Sequence, residues 1–295
     1  MTTCAAARQR FSDYLSGILD GRARAETAQH LDSCKACWRG WTRFRWERAE
    51  AHPLLNELRT YLKLTGQPFT PWRDSSRELA TAWRRTSTTR ISRDDFFRAS
   101  IAYLYNLVIW EASGNRPGYL AHGKPELAEA AGVIDVGCGI GSDTIALRGA
   151  GHLVQPVDYH SPSTDFARWR FVQRGYSDIE LRITEPGNRH DGDGADAIWM
   201  IDSLDHVADI DAQLGEHLTH ASTVVTENPA INRAHGPGSF HIRRSVEAID
   251  EAFAAYGLYP KPRGPDTPVR AWHRAATNSR DRLPPHFELS TQALV

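Results

Sequence analysis

From about residue 115 onward, short apolar runs rich in β-branched residues alternate with segments of helical periodicity. Strands that alternate with helices predict an α/β fold with a mainly parallel, doubly wound sheet. The last two runs lie close together, which predicts an antiparallel hairpin at one edge. The seven predicted strands are GVIDVG, LVQPVDY, IELRIT, ADAIWMID, STVVTEN, GLYPKP and PVRAWHR.

The part of the chain before these strands has a helical pattern. Residues 1–46 predict two short helices around Gly21, and the leucines at positions 54, 55, 58 and 62 predict another helix. A helix is also expected from Asp94 to about Gly114, because apolar periodicity follows an acidic first turn. The predicted organisation is a helical module (1–46), a helical linker or lid (47–114), an α/β domain (115–276) and a tail (277–295).

Composition excludes some classes of protein. The 295 residues are 41% hydrophobic and 24% charged, which is typical of a globular protein. The apolar stretches are shorter than the roughly 20 residues of a membrane span. Residues 1–10 lack the apolar segment of a signal peptide. We therefore expect a cytoplasmic protein with no membrane partner.

The two ends of the chain carry opposite charge. Residues 1–100 hold 18 Lys/Arg and 11 Asp/Glu, whereas the rest holds 17 Lys/Arg and 25 Asp/Glu. A basic N-terminal part could contact nucleic acid or an acidic partner. Two domains of opposite charge that lie against each other would explain the same split. Nucleic acid is therefore not the partner that we expect.

The segment VIDVGCGIGSDT joins the first predicted strand to the next helix. Gly137, Gly139 and Gly141 let the backbone pass close to a ligand, and the helix that begins near Ser142 offers unpaired amides and the positive end of its dipole. Asp158, at the end of the second strand, is placed to accept hydrogen bonds from two ribose hydroxyls. These features predict a nucleotide-type cofactor, although the spacing G-x-G-x-G differs from the dinucleotide pattern G-x-G-x-x-G.

An acid followed by G-x-G-x-G resembles motif I of class I S-adenosylmethionine (SAM)-dependent methyltransferases. The resemblance covers about residues 95–275, and ADAIWMIDSLDHVADIDAQL resembles the fourth-strand segment of that family. It implies a seven-stranded, Rossmann-like methyltransferase sheet that binds SAM. The cofactor-binding residues that we predict are Asp135, Gly137, Gly139, Gly141, Asp143, Asp158, Tyr159, Asp202 and Tyr105.

Two of these residues also have simpler explanations. Asp143 can cap the helix that follows the loop. Tyr105 lies at helical spacing and fits a helix core as well as it fits a cofactor contact.

Methyl transfer depends mainly on holding two reactants in line, and a general base helps when the acceptor is a hydroxyl or an ammonium group. His206 follows the fourth strand and is the first candidate base, with Asp202 and Asp205 as alternatives. His241, on a glycine-rich loop after the fifth strand, is a further candidate. Each histidine could equally be a structural or surface group.

The segment HLDSCKACW holds His30, Cys34 and Cys37 within eight positions, and Cys4 lies further upstream. One histidine and three cysteines make a closed tetrahedral zinc site. The arrangement is similar to the zinc-binding modules of bacterial anti-sigma factors. A closed site has no open coordination position, so we expect structural zinc. Catalytic zinc and a disulfide switch between Cys34 and Cys37 are the alternatives.

The sequence therefore predicts a SAM-dependent methyltransferase that acts on a small molecule or peptide, for instance in specialised metabolism. One alternative is an enzyme that transfers or cyclises the aminocarboxypropyl arm of SAM. Another is a SAM-sensing regulatory protein that binds a protein partner through its zinc module.

Overall fold

The computed structural model describes residues 2–16, 19–71, 75–87, 92–114, 116, 118–185, 195–229, 242, 244–262 and 267–275. The predicted tail and His241 lie outside these residues. The chain divides into two compact units. The first comprises Met1–Tyr119, Gly139–Ser142 and Tyr159–Asp178, and the second comprises Leu120–Cys138, Asp143–Asp158 and Ile179–Val295.

The seven strands follow one another in the order that the hydrophobic pattern predicts. The helices are α1 (Cys4–Gln9), α2 (Phe11–Leu15), α3 (Gly21–Ser33), α4 (Lys35–Ala51), α5 (Pro53–Leu64), α6 (Ser75–Ser87), α7 (Arg93–Ala99), α8 (Ile101–Ala112), α9 (Tyr119–Gly123), α10 (Ser142–Gly149), α11 (Pro162–Gln173), α12 (Ile210–His220) and α13 (Val246–Ala254). The strands are β1 (Gly132–Val136), β2 (Leu153–Tyr159), β3 (Arg182–Thr184), β4 (Ala197–Met200), β5 (Thr223–Glu227), β6 (Leu258–Pro260) and β7 (Val269–Arg274).

Two helix predictions need correction, and capping explains both. Two short helices were expected in residues 1–46, whereas the described part of this range holds α1, α2, α3 and most of α4. Asp20 caps α3 by accepting the Ala23 amide at 2.8 Å, and extended Cys34 separates α3 from α4. The helix expected from position 94 is broken into α7 and α8 at Ser100. The backbone of Ser100 is extended, and its hydroxyl accepts the amide of Tyr103.

The main core of the first unit lies around α5. Leu54, Leu55, Leu58 and Leu62 follow helical spacing on one face, and each is at most 1% exposed. They pack with residues of α4 and α8 and with Phe166 of α11. A buried leucine contributes roughly 1.5–3 kcal/mol relative to an exposed one.

A smaller apolar cluster lies among α1–α4. Its buried members include Phe11, Leu31 and Trp41, and the rings of Phe11 and Trp41 make an edge-on contact at 5.3 Å between centroids. A cluster of this size provides little apolar stabilisation, so a module of this length benefits from a metal ion.

The second unit is built on a seven-stranded sheet with the order β3-β2-β1-β4-β5-β7-β6. The pairs β1–β2, β1–β4 and β4–β5 are parallel, whereas β7 is antiparallel to both β5 and β6. Strands β1, β4 and β5 are buried along their whole length, as expected for strands covered on both faces. The predicted mainly parallel, Rossmann-like sheet and its antiparallel edge hairpin are confirmed.

The strand order reverses direction at β1, whose neighbours are β2 on one side and β4 on the other. In open α/β sheets, ligands bind outside the carboxyl ends of the strands at such a switch point. We therefore expect ligand-binding residues among those that follow β1, β2, β4 and β5. Within the described residues, no helix is long and apolar enough to cross a membrane.

Candidate functional site

The glycine loop begins where β1 ends. Gly137, Gly139 and Gly141 have φ angles of 72°, 54° and 72°, in the left-handed region that favours glycine. The amide of Gly137 donates to the carbonyl oxygen of Val157 at 2.8 Å. A Cβ atom at position 137 would lie 2.5 Å from the Cβ of Ser203, so no side chain fits there.

Asp135 and Asp143 are buried on either side of this loop. The hydroxyl of Thr144 donates to Oδ2 of Asp135 at 2.5 Å. The indole N–H of Trp199 donates to Oδ2 of Asp143 at 2.7 Å. Each carboxylate thus bonds a neighbouring side chain inside the second unit. Their part in cofactor binding stays a prediction.

Asp158 lies near the carboxyl end of β2, directly after the residue that pairs with Val136 of β1. It is half-buried, as is the adjacent Tyr159. By continuation of the β1–β2 register, Asp158 is level with Gly137. The acid therefore lies at the same edge of the sheet as the start of the glycine loop.

The chain turns sharply after β4 at Asp202. This residue has φ 53°, although it is not a glycine, and its amide donates to Oε2 of Glu227 at 2.8 Å. Glu227 ends β5 and is 4% exposed. Burial raises the pKa of Glu227 well above its ordinary value, and the negative charges of Asp202 and Asp205 raise it further. The Glu227 carboxyl group therefore keeps its proton to higher pH than an exposed glutamate does.

His206 ends the short 3₁₀ turn Leu204–His206 that follows Asp202. Its Nε2 lies 3.6 Å from Oδ1 of Asp205, and both side chains are mostly buried. The guanidinium of Arg244 donates to the carbonyl oxygens of Leu204, Val207 and Ala208 and so supports this turn.

Tyr105 lies in the first unit on α8 and is 3% exposed. Its hydroxyl accepts the amide of Thr70 at 2.9 Å, and its ring packs against Phe69. Tyr105 is therefore a buried core residue of α8, as its helical spacing suggested. A contact between Tyr105 and a cofactor stays a prediction.

The four predicted zinc ligands come together. One ligand atom from each of Cys4, His30, Cys34 and Cys37 lies within 4.8 Å of the others. Cys4 begins α1, and His30 is in the last turn of α3. Cys34 is the N-cap residue of α4, and Cys37 is in the first turn of that helix. The Cys4 and Cys34 sulfurs are 3.7 Å apart.

Hydrogen bonds within this cluster shift the pKa values of two thiols. Hydrogen bonds from the Cys37 backbone and the Cys4 thiol lower the pKa of Cys34, whereas the thiols of Cys37 and Cys34 raise the pKa of Cys4. The Nε2 atom of His30 is buried and makes no hydrogen bond among the described residues. A tetrahedral zinc ion would bind the thiolates and satisfy the imidazole. The residues therefore fit a structural zinc ion.

Two residues near the sheet edge were not predicted from the sequence. Glu227 had a signal, because an acid at the end of a fully buried strand is unusual in a parallel sheet. Arg244 had no signal in the sequence, because its role depends on three carbonyl groups about 40 positions away in the chain.

Comparisons with known proteins support the N-terminal assignment. Residues 4–37 match a protein family described as "Putative zinc-finger". The match spans all four ligands and confirms the predicted resemblance to a zinc-binding module. A search of curated proteins finds no match.

Several solved structures are similar to parts of the chain. They include magnesium protoporphyrin IX methyltransferase (ChlM) from Synechocystis PCC 6803 with bound SAH, at 17% identity over 48% of this chain and 74% of that chain (TM-score 0.38). The CcbJ methyltransferase from Streptomyces caelestis is 15% identical over 54% of this chain and 97% of that chain (TM-score 0.43). The S-adenosylmethionine-dependent methyltransferase SibL is 13% identical over 76% and 74% of the two chains (TM-score 0.45). The assignment of the fold rests on the strand order of the sheet itself.

Proposed function

We propose that the protein is a SAM-dependent methyltransferase that acts on a small molecule or peptide. The observation that carries this proposal is the juxtaposition of two features at the switch point of the sheet. One is the turn after β1, which begins with Gly137 at a left-handed φ angle, and the other is Asp158, which is level with Gly137 at the end of β2. A backbone without side chains lets a ligand approach closely, and a carboxylate accepts hydrogen bonds from both ribose hydroxyls. The predicted contacts of Gly139, Gly141, Tyr159 and Tyr105 belong to this proposal.

When bound, SAM supplies an electrophilic methyl group on a sulfonium. The chain must then hold an acceptor and, for a hydroxyl or ammonium acceptor, remove its proton. His206 is the proposed base, because its Nε2 lies near the Asp205 carboxylate, which would stabilise the protonated imidazole. Glu227 accepts the amide of Asp202 and so holds the turn that carries these side chains. His241 remains a candidate by sequence alone.

The zinc module is proposed to have a structural role and to offer a surface for a protein partner. A thiolate cluster of this kind needs a reducing compartment, so a cytoplasmic location is part of the proposal.

The reaction can be tested by incubating the full-length protein with SAM and pools of amine, hydroxyl and peptide acceptors. Methyl transfer predicts S-adenosylhomocysteine (SAH) in equal amount to a methylated product, both identified by mass spectrometry. Methylthioadenosine without SAH would instead indicate transfer or cyclisation of the aminocarboxypropyl arm. Binding of SAM without any turnover across the acceptor pools would favour the sensing protein.

A further inference from the structure

A buried guanidinium contacts the glycine loop within the first unit. Nη1 of Arg170, on α11, donates to the carbonyl oxygen of Ile140 at 2.5 Å and to Oγ of Ser142 at 2.9 Å. Nε of Arg170 donates to Oε2 of Glu57, on α5, at 2.9 Å. The Arg170 side chain is 5% exposed, so these bonds are shielded from water. Arg170 therefore links the loop to α5 by charge-assisted hydrogen bonds.

The charge of Arg170 is balanced locally. Burial lowers the pKa of the guanidinium, whereas the carboxylates of Glu111 and Glu57 raise it. Arginine nevertheless stays protonated in proteins. A buried charge without a partner is strongly destabilising, so Glu57 is needed to keep Arg170 within the core.

Arg174 provides a contrast one helical turn later. Its Nη2 also contacts the carboxylate of Glu57, but its side chain is 44% exposed. Among the described residues, it makes no side-chain hydrogen bond to residues 139–142. The two arginines thus share one carboxylate, and only Arg170 reaches the loop.

The bond to Ile140 sets the direction of the next amide. In a trans peptide the C=O and N–H groups point in opposite directions, and the described residues contain no cis bond. Because the Ile140 carbonyl points to Arg170, the N–H of Gly141 points away from α11. The α11 side is closed, since a Cβ at Gly141 would lie 2.5 Å from Cε1 of Phe171. A ligand of this loop would approach from the side that the Gly141 amide faces.

We infer that Arg170 is a positioning residue of the cofactor site and that Glu57 is the counter-charge that keeps it in place. This inference rests on the proposed function. A loop with glycines at left-handed φ angles loses much conformational entropy when it is ordered. Arg170 orders the loop before the cofactor arrives, and this lowers the entropic cost of binding. Helix α5, which precedes the whole sheet in the chain, thereby contributes to cofactor affinity.

The test measures SAH binding to the full-length protein by isothermal titration calorimetry. Glu57→Gln keeps a hydrogen-bond acceptor and removes the negative charge. Arg170→Lys keeps the positive charge and removes the planar guanidinium group. We expect each to weaken SAH binding about tenfold, the effect of one lost charge-assisted hydrogen bond. Ser142→Ala should weaken it about threefold. Arg174→Gln should leave it unchanged.

A stability control separates positioning from folding. Leu15→Ala removes a buried side chain from the apolar cluster among α1–α4, which holds no residue of the loop, so it should lower the melting temperature and leave the Kd of SAH unchanged. The inference is overturned if Glu57→Gln and Arg170→Lys bind SAH like wild type, or if Leu15→Ala weakens binding as much as they do. A folded wild type that binds no SAH overturns the proposed function and this inference together.

Discussion

The buried indole of Trp199 on β4 donates its N–H to the carboxylate of Asp143 in the first turn of α10. Trp199 is fully buried and Asp143 is 5% exposed, so the bond joins a helix to the centre of the sheet. The sequence suggested a cofactor contact or a helix cap for Asp143. The structure shows a third role, which is to satisfy a polar group of the core.

Replacement of Asp143 tests this role. Asp143→Ala leaves the indole N–H without its acceptor and should lower the free energy of unfolding by about 1–3 kcal/mol, measured by urea denaturation. Asp143→Asn keeps an acceptor and should cost less. Because Trp199→Phe removes the donor, the double variant Asp143→Ala/Trp199→Phe should lose less than the sum of the single losses. Strict additivity would show that the pair is not coupled.

Zinc removal should unfold the N-terminal module. We expect one zinc ion per chain by elemental analysis, and a strong chelator should lower the melting temperature, because metal binding supplies folding energy to a module with a small core. Cys37→Ser should lose the metal. Cys138→Ser is the matched control, since Cys138 is also buried but is not part of the cluster. Full zinc occupancy in Cys37→Ser would contradict the assigned ligand set.

Glu227 should make stability depend on pH. Below the ordinary pKa of a glutamate, the carboxyl group is neutral in both the folded and unfolded states. As the pH rises, the unfolded group ionises while the folded group, whose pKa is raised by burial, keeps its proton. Its contribution to stability is therefore lost with rising pH.

Glu227→Gln removes this titration and keeps the shape of the neutral acid. The melting temperature of the variant relative to wild type should rise by a few degrees between pH 5 and pH 8. Glu251→Gln makes the same chemical change at an exposed position of α13 and is the matched control. A difference between Glu227→Gln and wild type that does not change with pH would mean that Glu227 is ionised in the folded protein.

The seven strands and the zinc ligands His30, Cys34 and Cys37 were predictable because their signals are local. An apolar run such as GVIDVG must be buried to be stable, and the spacing of His30, Cys34 and Cys37 matches a metal-binding geometry within one helical turn or two. The break at Ser100 was missed, because apolar periodicity continues across it and only the side-chain cap reveals the new helix.

The supporting contacts around the loop could not be predicted. Arg170 and Glu57 are 113 positions apart, and nothing in their local sequence indicates that they meet. The same holds for Glu227 and the amide of Asp202. Such pairs depend on tertiary packing and not on periodicity, so sequence patterns identify the loop but not the residues that hold it.

Titration of the protein with SAM and SAH tests whether Asp158 belongs to a SAM-binding site. Wild type should bind one molecule per chain, and Asp158→Ala should weaken binding about 10- to 100-fold, because hydrogen bonds from a carboxylate to the ribose are lost. Glu180→Ala, at an exposed position shortly before β3, should bind like wild type. A folded, zinc-loaded protein that binds neither SAM nor SAH, or an Asp158→Ala variant with unchanged affinity, would contradict the proposed cofactor site.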